Sequence, residues 1–184
     1  MKDRSFRIGK YRDFMPMFNT YFNVDDLDEI GFFTAPASTK HHGAYEGGLF
    51  DHSLATAEAL VEFTNKLGLK WERPESPYIV GMFHDLCKCD NYVAINSLEE
   101  IVPIRQRYKY NPNLIIPGHG EKSVIMLQKY ISLTDEEIAC IRWHMGAYET
   151  DTKMWDYYGK AIEKYPNVLF THTADMYASK ILGV

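Results

Sequence analysis

The amino-acid sequence predicts an all-α protein, a compact bundle of six or more helices with a small irregular or hairpin insertion at about residues 89–117. Three observations support this fold class. Apolar residues recur at helical spacing in several separate segments. Helix-start and helix-stop residues bound those segments. Strand-like runs are confined to one stretch, so we expect a sheet to be a local feature only.

The first strong helix is predicted over residues 51–67, after Gly47 and Gly48 and before Gly68. A second, mostly buried helix is predicted over residues 77–88, where the chain resumes after Pro74. His84 and Asp85 come near the end of this apolar segment. Two adjacent helical residues point about 100° apart, so both can reach one ion only at a distorted helix end or beside a cleft.

The insertion and the later helices follow in order. Residues 92–95 and 101–104 are β-like, and residues 108–113 have the composition of a turn. We expect this segment to flank the functional site and to shape substrate choice.

A further helix is predicted to open at residues 118–123 and to run to about residue 131. The next begins after Thr134, whose spacing to Glu137 forms a capping box, and it is predicted to carry His144 and to end at Gly146. The last helix is predicted over residues 167–182. The first thirty residues are expected to hold short helices that cover the core.

Length and charge restrict the class of protein. The 184 residues suit one domain, which we assign to residues 1–184 with an N-terminal helical extension over about 1–30 and a core over 40–182. The net charge of -5 makes long nucleic acid an unlikely partner, because phosphate contacts need a basic face. No apolar run approaches the ~18 residues of a membrane span.

The three cysteines, together with an N-terminus that lacks an apolar signal core, predict reduced thiols and a cytoplasmic location. Cys87-Lys88-Cys89 is too tight for a structural zinc clip. We expect Cys87 and Cys140 to pack as small apolar side chains.

Histidine and aspartate residues form the pattern that indicates a chemistry. The chain has seven histidines, and six donor residues follow the order His52, His84, Asp85, His119, His144 and Asp175. Imidazole and carboxylate groups that converge in this number can hold one or two divalent ions. Because the set is rich in histidine, Fe, Mn, Co, Ni or Zn suits it better than Mg or Ca.

Several of these residues, and His172 near Asp175, have an alternative interpretation. His84 and Asp85 would be costly to bury among apolar residues without a strong partner, which favours a metal over a helix cap. His119 and His144 fit either a second ion or a substrate phosphate, since a helix start also suits an anion. His172 could support the site through a hydrogen bond or simply belong to the core or the surface.

These residues resemble the HD-domain superfamily of metal-dependent phosphohydrolases, over about residues 40–182. His84-Asp85-Leu86-Cys87-Lys88 looks like the family's His-Asp-x-x-Lys form, and residues 41–52 are similar to HD domains found with bacterial exoribonucleases. The resemblance implies that His52, His84, Asp85 and Asp175 hold one ion. It implies that His119 and His144 hold a second, with Asp85 bridging. No Gly-Tyr-Pro signature follows, which disfavours cyclic-di-nucleotide specificity.

The expected activity is hydrolysis of phosphate esters, monoesters or diesters, in nucleotides or related small compounds. Asp85 and Lys88 are the candidate catalytic residues, because a lysine charge can offset charge on a phosphoryl group. Lys88, His41, His42 and Lys122 are the candidate substrate contacts. Two alternatives remain at this stage: a non-catalytic sensor of a nucleotide or metal, and a di-iron oxygenase on the same scaffold. The substrate, the native metal, the oligomeric state and the pathway stay open.

Overall fold

A computed structural model describes residues 3–15, 23–95, 107–147 and 152–184. Among them the chain is mostly helical, with one two-stranded sheet, which confirms the predicted all-α class and the hairpin insertion. The elements are α1 (Arg4–Phe14), α2 (Val24–Glu29), α3 (Gly48–Leu67), α4 (Ser76–Phe83), α5 (Lys88–Asn91), β1 (Tyr92–Ala94), β2 (Tyr108–Tyr110), α6 (Gly120–Leu127), α7 (Asp135–Arg142), α8 (Thr152–Lys164), α9 (Asn167–Met176) and a π-helical continuation, Tyr177–Leu182.

Helices α3 and α4 form the centre of the bundle and cross at very short range. A Cβ built on Gly81 would stand 2.4 Å from the Cα of Ala57, so only glycine permits this approach. Around the crossing lies a core of fully buried side chains that includes Phe32, Phe50 and Phe83. The close crossing brings the two helices that carry His52 and His84 together.

The two central helices differ from their predicted extents at one end each. Helix α3 ends at Leu67 as predicted, where Gly68 takes a left-handed conformation, but it begins three residues early, at Gly48. Helix α4 ends at Phe83 rather than continuing to residue 88. His84 is therefore the C-cap residue of the helix, and Asp85 lies in the turn that follows. This turn is the distorted helix end that lets both side chains face one place.

The predicted insertion contains an antiparallel hairpin in which Tyr92 pairs with Tyr110. Residues 108–110, predicted as part of a turn, are instead its second strand, because pairing with β1 outweighs their local turn preference. The β-like run at residues 101–104 lies outside the described residues. The backbone N–H of Asn111 donates to the carbonyl of Asn91 at 2.9 Å, which ties the hairpin to α5.

The later helices follow the sequence signals with shorter bounds. Thr134 forms the predicted capping box with Glu137. Helix α7 ends at Arg142, so His144 lies in the turn beyond it rather than within the helix as predicted. Helix α6 ends four residues before the predicted end at 131.

Some helices were not predicted individually from the sequence, among them α8 and α1. Helix α8 was not predicted; its Tyr158 and Ile162 pack against the core although no residue of the helix is fully buried. At the N-terminus, helix α1 covers α3 through Tyr11, which is fully buried, and through an ion pair between Arg7 and Asp51. No helix among the described residues has the length and apolar composition needed to cross a bilayer.

Candidate metal centre

The donor residues selected from the sequence come together at one place in the bundle. They come from four kinds of local setting: a helix interior, a helix end, a turn, and the residue that precedes a helix. In chain order they are His52 within α3, His84 at the end of α4, Asp85 in the next turn, His119 just before α6, His144 in the turn after α7, and Asp175 within α9. Overlapping subsets of these side chains form groups that could hold a metal ion.

Three of the imidazoles are fixed in the same orientation by backbone carbonyl groups. In each ring Nδ1–H donates a hydrogen bond outward, which leaves Nε2 directed at the centre. The acceptors are the carbonyl oxygens of Val184, Gly81 and Ile141, at 3.0, 2.9 and 2.7 Å from the Nδ1 atoms of His52, His84 and His144. This arrangement is typical of histidine ligands to metals.

The first group of donors consists of His52, His84 and Asp175, and its spacing suits one ion. Nε2 of His52 lies 3.2 Å from Nε2 of His84 and 3.1 Å from Oδ1 of Asp175. Two nitrogens bound at about 2.1 Å to the same ion would stand roughly 3.0–3.4 Å apart at octahedral or tetrahedral angles. The observed separation lies within that interval.

Asp85 stands between two groups of histidines, with one carboxylate oxygen facing each. Oδ2 is 3.4 Å from Nε2 of both His52 and His84. Oδ1 is 2.9 Å from Nε2 of His119 and 3.4 Å from Nε2 of His144. A carboxylate divided in this way has the geometry to bridge two adjacent ions.

His144 supplies the clearest sign that a cation belongs here. Its side chain is completely buried, and its Nε2 has no hydrogen-bond partner among the described residues. An unsatisfied buried nitrogen costs free energy, and proteins seldom retain one without a ligand. The donor chemistry of the centre therefore fits a divalent transition metal.

Lys88 provides the main positive charge next to Asp85. Its Nζ lies 2.6 Å from Oδ2, and both side chains are almost fully buried. Burial alone would raise the pKa of Asp85, but the charge of Lys88, followed by the neighbouring histidines, holds it well below its ordinary value. Burial would also lower the pKa of Lys88, yet Asp85 raises it overall, so both groups are charged.

The protein without a metal holds a proton where the first ion would lie. Burial would lower the pKa of His52, but hydrogen bonds to Asp175 and Asp85 outweigh it and raise the pKa to about 9. Burial lowers the pKa of the neighbouring His84, which therefore stays neutral and accepts at Nε2. A divalent cation would replace the proton on His52.

The residues predicted to contact substrate lie at different distances from the centre. The His42 ring is half-buried with its centroid 5.1 Å from that of His52, and burial and then the charge of His52 lower its pKa to about 4. His41 is exposed. The ammonium of Lys122 is buried against Asp90 and against Oδ1 of Asn91, at 2.9 Å from the latter.

The structure gives specific contacts to two nearby residues, Cys87, which was expected only to pack in the core, and His172, for which the sequence left alternatives open. Cys87 is fully buried, as expected, yet its sulfur groups with donor atoms of Asp85 and His119, all within 4.8 Å of one another. Burial raises the pKa of this thiol to about 12. His172 supports the site, since its Nδ1 lies 2.7 Å from the carbonyl oxygen of His144. For Cys87, the sequence signal that could have been used is its position, two residues after Asp85 of the His-Asp pair.

Comparison with known families agrees with this geometry. The family model for the HD domain matches residues 49–179, so the chain belongs to the HD-domain family. Members of this family are generally metal-dependent phosphohydrolases, and HD domains bind divalent metals. No curated protein and no solved structure gave a significant match to the chain.

Proposed function

We propose that this protein is a metal-dependent phosphohydrolase that acts on small phosphate esters, nucleotides among them. The observation that carries the proposal is the division of Asp85, whose two oxygens face different histidines. A carboxylate of this kind can hold two adjacent ions, and two such ions can bind the attacking and leaving oxygens of a phosphoryl group during in-line displacement.

The ligand assignment follows from the distances. We assign His52, His84, Asp85 Oδ2 and Asp175 to one ion, and Asp85 Oδ1, His119 and His144 to a second. When bound, such ions polarise phosphoryl oxygens and lower the pKa of a nearby water.

The chain's own residues would then position the substrate. His119 is the most accessible of the proposed ligands, with its side chain 33% exposed while those of His52, His84, Asp85 and His144 are at most 2% exposed, which favours entry of the ester from its side. Lys88 shares Oδ2 of Asp85 with the proposed ion, so a competing cation there leaves its ammonium available to a phosphoryl oxygen. His42, neutral at physiological pH, lies beside His52 at the rim of the centre.

Substrate size is inferred from charge. The net charge of -5 repels a long polyanion outside the site, whereas a small ester meets only the local positive charge of the centre. This supports nucleotides or similar compounds over RNA or DNA polymers.

The test is a hydrolysis screen on protein that has been stripped and reloaded with Mn, Fe, Co, Ni or Zn. Substrates should include phosphomonoesters, diesters, nucleotides and cyclic nucleotides, and released phosphate or product is measured. We expect turnover with at least one metal and loss of both metal and turnover in His84→Ala. The exposed His41→Ala variant is the control for metal content, which it should retain. Full metal loading without hydrolysis of any ester would contradict the proposal.

Nuclearity is tested separately. His119→Ala and His144→Ala should each retain about one ion per chain, because the first group of ligands is untouched, while activity collapses. Elemental analysis gives the metal count. If both variants keep two ions per chain, these histidines contact substrate instead.

A further inference from the structure

The cysteine that follows the His-Asp pair lies in polar surroundings that a small apolar side chain does not need. The sulfur of Cys87 lies with donor atoms of Asp85 and His119 within 4.8 Å of one another. We propose that Cys87 is a thiolate ligand of the second ion, in addition to Asp85 and His119, and that it makes this position selective for a softer metal such as zinc, cobalt or ferrous iron. This inference rests on the metal centre of the proposed function.

A metal donor without a partner, independent of the cysteine, points to a cation at Asp85, the residue that its donor group shares with the group of Cys87. Nε2 of His144 is fully buried, lies 3.4 Å from Oδ1 of Asp85, and has no hydrogen-bond partner among the described residues. Oδ1 is also the oxygen that faces His119, at 2.9 Å. An ion bound to Oδ1 would thus satisfy His144 and contact His119, and both Asp85 and His119 belong to the donor group of Cys87.

The distances between the Cys87 sulfur and the donor atoms of Asp85 and His119 are close to those of ligands on one metal ion. A metal–sulfur bond of about 2.3 Å and a metal–nitrogen bond of about 2.1 Å place the two donor atoms roughly 3.6 Å apart at a tetrahedral angle. The separations in the group, at most 4.8 Å, need only a contraction of the order of 1 Å around a bound ion. Coordination exchanges the S–H proton for the ion, and the proton leaves to solvent.

A hydrogen-bond chain behind Cys87 presents a donor to the sulfur. Nδ2 of Asn91 donates to Sγ at 3.5 Å. The orientation of this amide is fixed, because its Oδ1 accepts from the ammonium of Lys122 at 2.9 Å. An N–H directed at a sulfur stabilises a metal-bound thiolate, and such outer contacts orient ligands in metal sites.

The same hydrogen bonds give Lys122 a structural role. Its charge, which the sequence suggested for substrate phosphate, is held by Asp90 and Asn91 behind the centre. We therefore assign Lys122 to the support of Cys87 through Asn91 rather than to substrate.

The choice of metal follows from ligand softness. Thiolate favours zinc, cobalt(II) and iron(II) over manganese(II), whereas the first group, with histidine and carboxylate donors only, does not discriminate in this way. We expect manganese to compete poorly for the second position.

Cobalt(II) spectroscopy on the intact protein tests the proposal, since sulfur bound to cobalt(II) gives a charge-transfer band in the near ultraviolet. The stripped wild-type protein, titrated with cobalt(II), should develop this band before two equivalents have bound. Cys87→Ser and Cys87→Ala should lack the band and bind the second ion at least about tenfold more weakly. Cys89→Ser, two residues away and outside the metal-binding groups, is the matched control and should retain both.

The outcomes separate this inference from the proposed function. Two bound cobalt ions without the band, or a band that survives in Cys87→Ser, would overturn the thiolate ligand and leave the phosphohydrolase proposal intact. A wild-type protein that binds no cobalt at all would overturn both. If the Cys87 variants fail to fold, the wild-type spectrum still tests the proposal, because two bound cobalt ions without the band overturn it, and retention of the band in Cys89→Ser excludes the neighbouring thiol. As a further check, Asn91→Leu should shift the band of the folded protein, because it removes the N–H directed at sulfur.

Discussion

Gly81 sets the distance between the two helices that carry His52 and His84, so Gly81→Ala should disturb both stability and metal binding. The new Cβ would lie 2.4 Å from the Cα of Ala57 and 2.9 Å from its Cβ and N. Carbon atoms in favourable contact are about 3.5 Å apart, so the helices must separate by roughly 1.1 Å at the crossing. Backbone atoms cannot yield as a flexible side chain would.

The same displacement sets the expected loss of metal affinity. Nε2 of His52 and Nε2 of His84 are 3.2 Å apart, and a shift of about 1.1 Å along that line would give about 4.3 Å. Two bonds of about 2.1 Å span at most about 4.2 Å, so one ion could no longer bind both nitrogens without side-chain adjustment. We expect metal affinity to fall by about 10- to 100-fold.

Overpacking of this kind costs about 1–3 kcal/mol, which for a chain of this size lowers Tm by roughly 2–12 °C. Thermal unfolding of the metal-free protein measures the stability, and competition with a chelator measures the affinity. The control is Gly159→Ala in α8, where nothing lies within 4 Å of the added Cβ and a helical alanine should stabilise by about 0.5–1 kcal/mol. If Gly81→Ala behaves like this control in both assays, the reasoning from the helix crossing is refuted.

Three further predictions address charge. Because the pKa of His52 is raised to about 9, the histidine is protonated at neutral pH and must lose its proton to bind an ion. The apparent metal affinity should therefore fall about tenfold per pH unit between pH 8 and pH 6, and calorimetry in two buffers should measure the released proton. A metal affinity that does not change with pH would contradict this prediction. Lys88→Met should lower kcat/KM for small esters by about 10²-fold with metal content unchanged, and unimpaired turnover would remove Lys88 from the mechanism. Glu137, fully buried and paired with Arg73 at 2.8 and 2.7 Å, should destabilise the protein by about 3 kcal/mol when changed to alanine, as measured by urea unfolding. The control is Glu62→Ala, because Glu62 forms an exposed ion pair with Lys66; this variant should lose less than about 1 kcal/mol of stability. Equal effects of the two variants would contradict the ion-pair argument.

Much of the fold could be predicted because its signals are local. The capping box at Thr134 and the glycine after Leu67 mark helix ends through contacts within one turn, and both appear in the structure. Helix α8 was missed although its apolar residues Met154, Tyr158 and Ile162 recur at four-residue spacing; in the structure these side chains are only partly buried. Residues 108–110 were misassigned because strand pairing with β1 is a contact across the chain.

The sequence by itself determined most of the inventory of donors: the order of histidines and aspartates, and the His-Asp pair in an apolar segment, selected the six histidine and aspartate side chains that the bundle brings together at the centre, but not Cys87. Only the tertiary structure decided how they meet. The acceptor for Nδ1 of His52 is the carbonyl of Val184, 132 residues away, and the division of Asp85 between two groups depends on the turn after Phe83. Likewise, the proximity of Cys87 to His119 and the diversion of Lys122 to Asn91 arise from packing between α5 and α6. Periodicity and caps report contacts within a helix, whereas ligand geometry depends on distances between helices, which no local pattern encodes.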